Sequence, residues 1–165
     1  MKLRPGQHIF YRNENYIDDL ELVVLDMLSS VEYRCITANL LSAKLPFDSI
    51  GNSDWFSSSL YVYLNNVFQK RIPNARHFIL LTADEYHYYK NIIPKYHDSF
   101  WTRSHSAEGN YAWVIRTDGD AYREDVRNAH GVAPVVGIMK SSVEIFKDRD
   151  DKIIIQDAED LKPII

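Results

Sequence analysis

The chain has 165 residues, 45% hydrophobic and 25% charged, with 6 Gly, 6 Pro and a single cysteine. That is the length of one ordinary domain, and both fractions lie near the average for folded proteins, which excludes disordered, collagen-like and coiled-coil classes. A net charge of −4 argues against a nucleic-acid binder, because duplex affinity comes from Lys and Arg neutralising phosphates. Apolar runs are too short for a membrane span, and Pro5 and Gly6 interrupt the start before a secretory segment forms. The expected setting is therefore the cytoplasm or, for a viral gene, the virion and host cytoplasm. Cys35 alone excludes an intrachain disulfide and a cysteine metal cage.

In chain order, Gln7-His8-Ile9-Phe10-Tyr11-Arg12 reads as a strand leading to the turn Asn13-Glu14-Asn15. Residues 21–28 are rich in branched side chains and short enough for a buried strand; residues 32–41 form the next. Leu45-Pro46-Phe47-Asp48 leads into a loop over 49–53. Two amphipathic helices follow. The first covers about 57–71, capped by Asp54 or a serine, with Leu60, Leu64, Val67 and Phe68 on one stripe and Pro73 as its stop. The second, about 83–93, opens on the capping box Thr82-Ala83-Asp84-Glu85, buries Tyr86, Tyr89 and Ile93, and stops at Pro94. Between them His77-Phe78-Ile79-Leu80-Leu81 is strand-like.

Strands return at 100–104, and those over 111–116 and 121–126 flank Thr117-Asp118-Gly119-Asp120, a hairpin signal. Residues 132–139 read as a central strand, with Pro134 near its start where a ladder donor is missing. Residues 147–151 form a charged turn, and 152–156 add an edge strand. The fold expected is a single α+β domain over 1–165, mainly antiparallel twisted sheets with two helices. Its core spans about 7–140, with the edge strand and tail in 141–165.

Three segments follow one another in a specific order. They are Ser53-Asp54-Trp55 through Leu64-Asn65-Asn66-Val67-Phe68; Leu80-Leu81-Thr82-Ala83-Asp84-Glu85-Tyr86; and Phe100-Trp101-Thr102-Arg103-Ser104 with a Gly119 hairpin and Gly131-Val132-Ala133-Pro134-Val135-Val136. This succession resembles an uncharacterised domain family of bacteria and their phages, over about residues 7–140. That family is associated with the C-type-lectin-like fold, also used by formylglycine-generating enzymes and by variable proteins of diversity-generating retroelements. The resemblance implies a lectin-like frame in which Trp55, Asn65, Trp101, Arg103 and Pro134 are structural. Thr102 stands where the family tends to have Leu, and Ala133 where it tends to have Arg, so an arginine contact is missing. The lectins' calcium and sugar motifs, Glu-Pro-Asn and Trp-Asn-Asp, do not occur, and the formylglycine enzymes' cysteines have no counterpart. The fold carries over and neither chemistry does.

Residue by residue, catalytic signals are thin. Cys35 lies in an alternating strand and reads as a buried, inert thiol. His8, His77, His87, His97, His105 and His130 fall at no metal-ligand spacing. Ser104 and His105 are adjacent on a strand and point to opposite faces. Asp118, Asp120, Glu124 and Asp125 form a carboxylate cluster, but a tight turn supplies too few oxygens for a hard cation. Arg103 follows Phe100-Trp101 in a half-buried strand and needs partners for its donors; backbone carbonyls or a carboxylate are expected. Trp55, Trp101 and Trp113 are expected in the core.

The function expected is a non-enzymatic recognition or display module. Loop 105–110, hairpin tip 117–120 and segment 122–130 are expected on one rim. That rim carries His105, Glu108, Asn110, Tyr111, Asp118, Asp120, Tyr122, Arg123 and His130, a mixed aromatic and polar set suited to a protein partner, with a glycan as the other option. One alternative is an assembly subunit that displays edge strands. Another is a small hydrolase using His105 with Asp118 and Asp120. No cofactor or metal is expected.

Overall fold

Alternation of apolar and polar residues builds most of the molecule, seen in a computed structural model that describes residues 1–158. The early strands are β1 (His8–Arg12), β2 (Leu20–Ser29), β3 (Glu32–Thr37), β4 (Leu45–Pro46) and β5 (Arg76–Ile79). The later ones are β6 (Phe100–His105), β7 (Tyr111–Ile115), β8 (Ala121–Asp125), β9 (Ala129–His130), β10 (Val135–Met139), β11 (Val143–Lys147) and β12 (Ile153–Asp157). Seven of them form a sheet in the order β11-β12-β1-β2-β3-β10-β5, antiparallel except where β1 meets β12. A three-stranded meander, β6-β7-β8, and a short β4-β9 pair complete the strands.

Successive side chains on a strand point to opposite faces, and both faces of the large sheet are buried. Val24, Cys35, Val136 and Ile155 join a core beneath helix α1 (Ser59–Asn66) through Leu60 and Leu64. Val23, Ile36 and Val135 join a second core with helix α2 (Ala83–Tyr89), Ile93 and Tyr96. The meander is stitched to this frame by backbone bonds: Trp101 N to Gly131 O (3.0 Å), Gly131 N to Ser99 O (2.9 Å) and Arg103 N to Leu81 O (2.9 Å). A Cβ on residue 131 would lie 2.7 Å from the Ser99 carbonyl oxygen, so only glycine permits this crossing.

Mixed architecture, mostly antiparallel sheets and two helices agree with the reading of the sequence; several details differ. The first helix is not continuous over 57–71. A 3₁₀ turn at Trp55–Ser57, capped by Asp54, precedes α1, and another at Phe68–Arg71 follows it. The Asn65 amide donates back to the Tyr61 carbonyl (3.0 Å) and across to Phe78 O (3.4 Å), and such back-bonding competes with helix continuation. Helix α2 ends at Tyr89, short of 93, because Pro94 disfavours helical backbone at Ile93 and the chain tightens into turns. The capping box is present as expected, with Glu85 N donating to Thr82 Oγ1 (3.0 Å) and Thr82 N to Glu85 Oε1 (2.9 Å).

The last strand is no edge. β12 lies between β1 and β11 and buries Ile153, Ile154 and Ile155, so the core extends well beyond residue 140. The true edge on that side, β11, has an alternation too weak to mark it in the sequence. Trp55 and Trp101 are buried, but Trp113 is half-exposed and belongs to neither core. Among the described residues no helix is long and apolar enough to cross a membrane.

Candidate recognition surface

One buried carboxylate organises an end of the molecule. Asp48 leaves the short β4 segment and turns its side chain back under its own loop. Its Oδ2 accepts the amides of Ile50 (3.3 Å), Gly51 (2.9 Å) and Asn52 (2.7 Å), and its Oδ1 that of Ser59 (3.0 Å). Burial opposes ionisation here, but the four amide donors outweigh it and hold the carboxyl below the usual range. The fixed loop presents Ile50, 89% exposed, and Phe56, 71% exposed. Three loops are tied together around it: Asp48 N donates to Val126 O, Val126 N to Asn110 O and Ser53 N to Gly109 O, each at 3.0 Å. Loop 49–57, the β6–β7 turn and the residues after β8 therefore form one rim. Ile50 and Phe56 went unnoticed in the sequence; the available signal was an Asx-turn composition, Asp48-Ser49-Ile50-Gly51-Asn52, with an isolated apolar residue at its tip.

The exposed face of the meander adjoins this rim. Tyr111 and Trp113 alternate on β7, and the register sets Trp113 opposite Arg123 and Tyr111 opposite Asp125. The Arg123 guanidinium stands 5.8 Å from the centre of the Tyr111 ring and pairs with Glu108 at 3.0 Å. Asp125 is held by Arg127 at 2.6 Å, and the hydrogen bonds from Arg127 bring its carboxyl down to about 2. The result is an aromatic and charged surface on which Arg123 and Asp125 are held in place by Glu108 and Arg127.

The residues expected on one rim are split by the meander. Glu108, Asn110, Tyr111 and Arg123 gather near the Asp48 loop, and exposed His105 enters the same turn with Nδ1 near Ser106 O (3.1 Å). Asp118 and Asp120 occupy the opposite end of β7, about 15 Å away for five residues of strand. His105 and those carboxylates are all solvent-exposed and do not converge. Tyr122 neighbours Arg123 in sequence but faces the other way, under the Arg116 guanidinium at 3.6 Å.

His130 lies on neither end. Its Nδ1 meets Ser99 Oγ at 2.8 Å, its Nε2 is 3.7 Å from Glu124, and its ring stands edge-on to Trp101. Burial lowers its pKa, against the pull of Glu124. A serine, histidine and glutamate in a row invite a nucleophilic reading, but the nearest amides are spent: Ser99 N on Asp98 Oδ1 (2.8 Å) and Gly131 N on Ser99 O. The row thus locks β9 against the start of β6.

Arg103 finds both kinds of partner expected for it: Nε donates to Leu80 O (2.9 Å) and Nη2 to Glu85 Oε1 (3.0 Å). The other Glu85 oxygen takes Arg34 Nη1 at 2.8 Å. Burial would raise the Glu85 pKa, but the Thr82 amide and the two guanidiniums bring it below normal. Trp101 Nε1 donates to Leu45 O (2.9 Å), and the Pro134 carbonyl accepts from Thr37 N (3.1 Å). Cys35 is fully buried and its thiol pKa is pushed up, far from thiolate reactivity. Among the described residues no group of three or more His, Cys, Asp or Glu stands close enough to hold a metal ion.

These features define a mixed α+β protein with a preorganised aromatic rim. Comparison with family models, curated proteins and solved structures finds no match for the chain.

Proposed function

We propose that the chain is a non-enzymatic recognition module of lectin-like organisation that grips a protein partner through the rim of loop 49–57 and the outer face of β7 and β8. The observation that carries this reading is the exposure of Ile50 and Phe56 on a loop locked by Asp48. A free protein gains nothing from holding large apolar groups rigidly in water, whereas a partner that covers them gains apolar burial at little ordering cost. Tyr111, Trp113 and Arg123 beside them are residue types that dominate binding energy at interfaces. The family resemblance adds a bacterial or phage setting, with the partner in the cytoplasm or on a virion; a glycan could use the same aromatic rings. Assembly through edge strands has less support, because β8 carries Arg123, Glu124 and Asp125 in succession and β11 carries Glu144 and Lys147, charges that discourage strand addition. The hydrolase reading loses support with the separation of His105 from Asp118 and Asp120.

The test compares the wild type with an Ile50→Ser/Phe56→Ser double variant as bait in a lysate of the expressing cells, followed by titration of the purified partner. Each apolar truncation is expected to weaken binding by about 1 kcal/mol or more, roughly fivefold in Kd, with Tm unchanged. Equal affinity for both baits would exclude this rim.

A further inference from the structure

The junction of β5 with β10 is irregular. Val135 pairs with Ile79 and Gly137 with Arg76, so β5 carries one residue more than the strand it faces. His77, inside this bulge, holds a left-handed backbone at φ 57°, a conformation that side chains with a Cβ rarely adopt. A pocket of about 390 Å³ opens at the bulge, with His77, Ile79, Val135 and Gly137 in its lining. That volume lies within the ~300–1,000 Å³ of ligand pockets. Two exposed apolar side chains also line it, Leu28 near the end of β2 and Phe56 from the rim. The pocket therefore continues the proposed partner surface and shares a residue with it.

Its polar lining is one-sided. Apart from His77, the polar side chains are Arg34, Arg103 and the Trp55 indole, which can only donate, and no carboxylate is among them. Glu85 takes one hydrogen bond from each guanidinium, at 2.8 and 3.0 Å, which fixes both and supplies their counter-charge. A neutral acceptor therefore suits this wall. Trp55 is buried, and among the described residues its Nε1 has no acceptor. Buried indole N–H groups ordinarily find one, so the chain leaves a donor unpaired in a residue that lines the pocket. A peptide carbonyl is the neutral acceptor that a protein partner brings to every residue it inserts.

We propose that this pocket receives an extended apolar segment of the protein partner, with its side chains against Leu28, Ile79 and Phe56 and a backbone carbonyl accepting from the Trp55 indole. The inference rests on the reading of the rim as a partner surface. It adds the class of segment that is bound and carries the footprint from Phe56 on to Leu28.

A displayed library of random linear peptides, selected on the wild-type chain, tests it. Enriched peptides are expected to be rich in branched and aromatic residues. Leu28→Ser and Phe56→Ser, both at exposed positions, are each expected to weaken these peptides about fivefold or more at unchanged Tm. Ile50→Ser, on the rim but outside the pocket lining, is expected to leave them unchanged. In NMR spectra the Trp55 indole N–H resonance, identified by its loss in Trp55→Phe, is expected to move downfield as the peptide binds. No enrichment, peptides indifferent to Leu28→Ser, or an unmoved Trp55 indole resonance overturns the proposal. The rim is judged separately with the purified partner: binding weakened by Ile50→Ser but not by Leu28→Ser keeps the rim and removes the pocket, and the reverse pattern removes the rim alone.

Discussion

Asp48 sets the cost of burying a charge against the gain from four amide donors, and the donors win. Its folded pKa lies below its unfolded value. The stabilisation is therefore complete above the ordinary carboxylate range and is lost as pH falls through the folded value. Asp48→Asn keeps the size but replaces one acceptor oxygen by a donor facing backbone N–H groups. We expect a loss of about 1–3 kcal/mol at pH 7 in urea unfolding, shrinking only once pH falls below the ordinary carboxylate range and the wild-type carboxyl itself protonates. A gap that stays constant with pH would show that the lost stability is steric. Asp48 was legible as the start of a loop, but its role was not, because the amides it collects lie up to eleven residues away.

Among the elements, α2 shows how a local motif acquires a distant duty. Thr82 and Glu85 form the capping box that the sequence announces, yet the same Glu85 carboxylate also receives Arg34 from β3 and Arg103 from β6. One side chain thus ties a helix to two sheets. Arg103→Lys retains the charge but offers one nitrogen where Arg103 uses two, on Leu80 O and Glu85. The expected cost is about 1–3 kcal/mol, read as a Tm lower by roughly 2–12 °C; an unchanged Tm would mean that the bridge adds nothing to stability. The broken first helix illustrates the reverse case. Its apolar stripe was visible at 60, 64, 67 and 68, but the Asn65 amide bonds across to Phe78 O, a contact no local pattern contains.

For the molecule as a whole, the decisive element is the last described strand. β12 inserts between β1 and β11 and places three isoleucines in the interior. Each buried isoleucine contributes about 1.5–3 kcal/mol, so a chain ending at Asp148 forfeits most of the 5–15 kcal/mol that holds a domain of this size. That truncated chain is expected to show no cooperative urea transition by circular dichroism; a sharp transition would mean that residues 1–148 hold a core of their own. By itself the sequence determined the mixed architecture of mostly antiparallel sheets with two helices, most strand positions, the start of α2, the buried thiol and the kinds of partner Arg103 takes, because alternation, caps and turn composition act over a few residues. Only the tertiary structure decided which candidates share a surface. Glu108 and Arg123 come together while Asp118 and Asp120 go to the other end, Tyr122 and Arg123 part to opposite faces, and Trp113 stays half-exposed. Those outcomes depend on how strands far apart in sequence pair and which face each sheet buries. Pairing is a balance of long-range contacts that no short window of residues encodes.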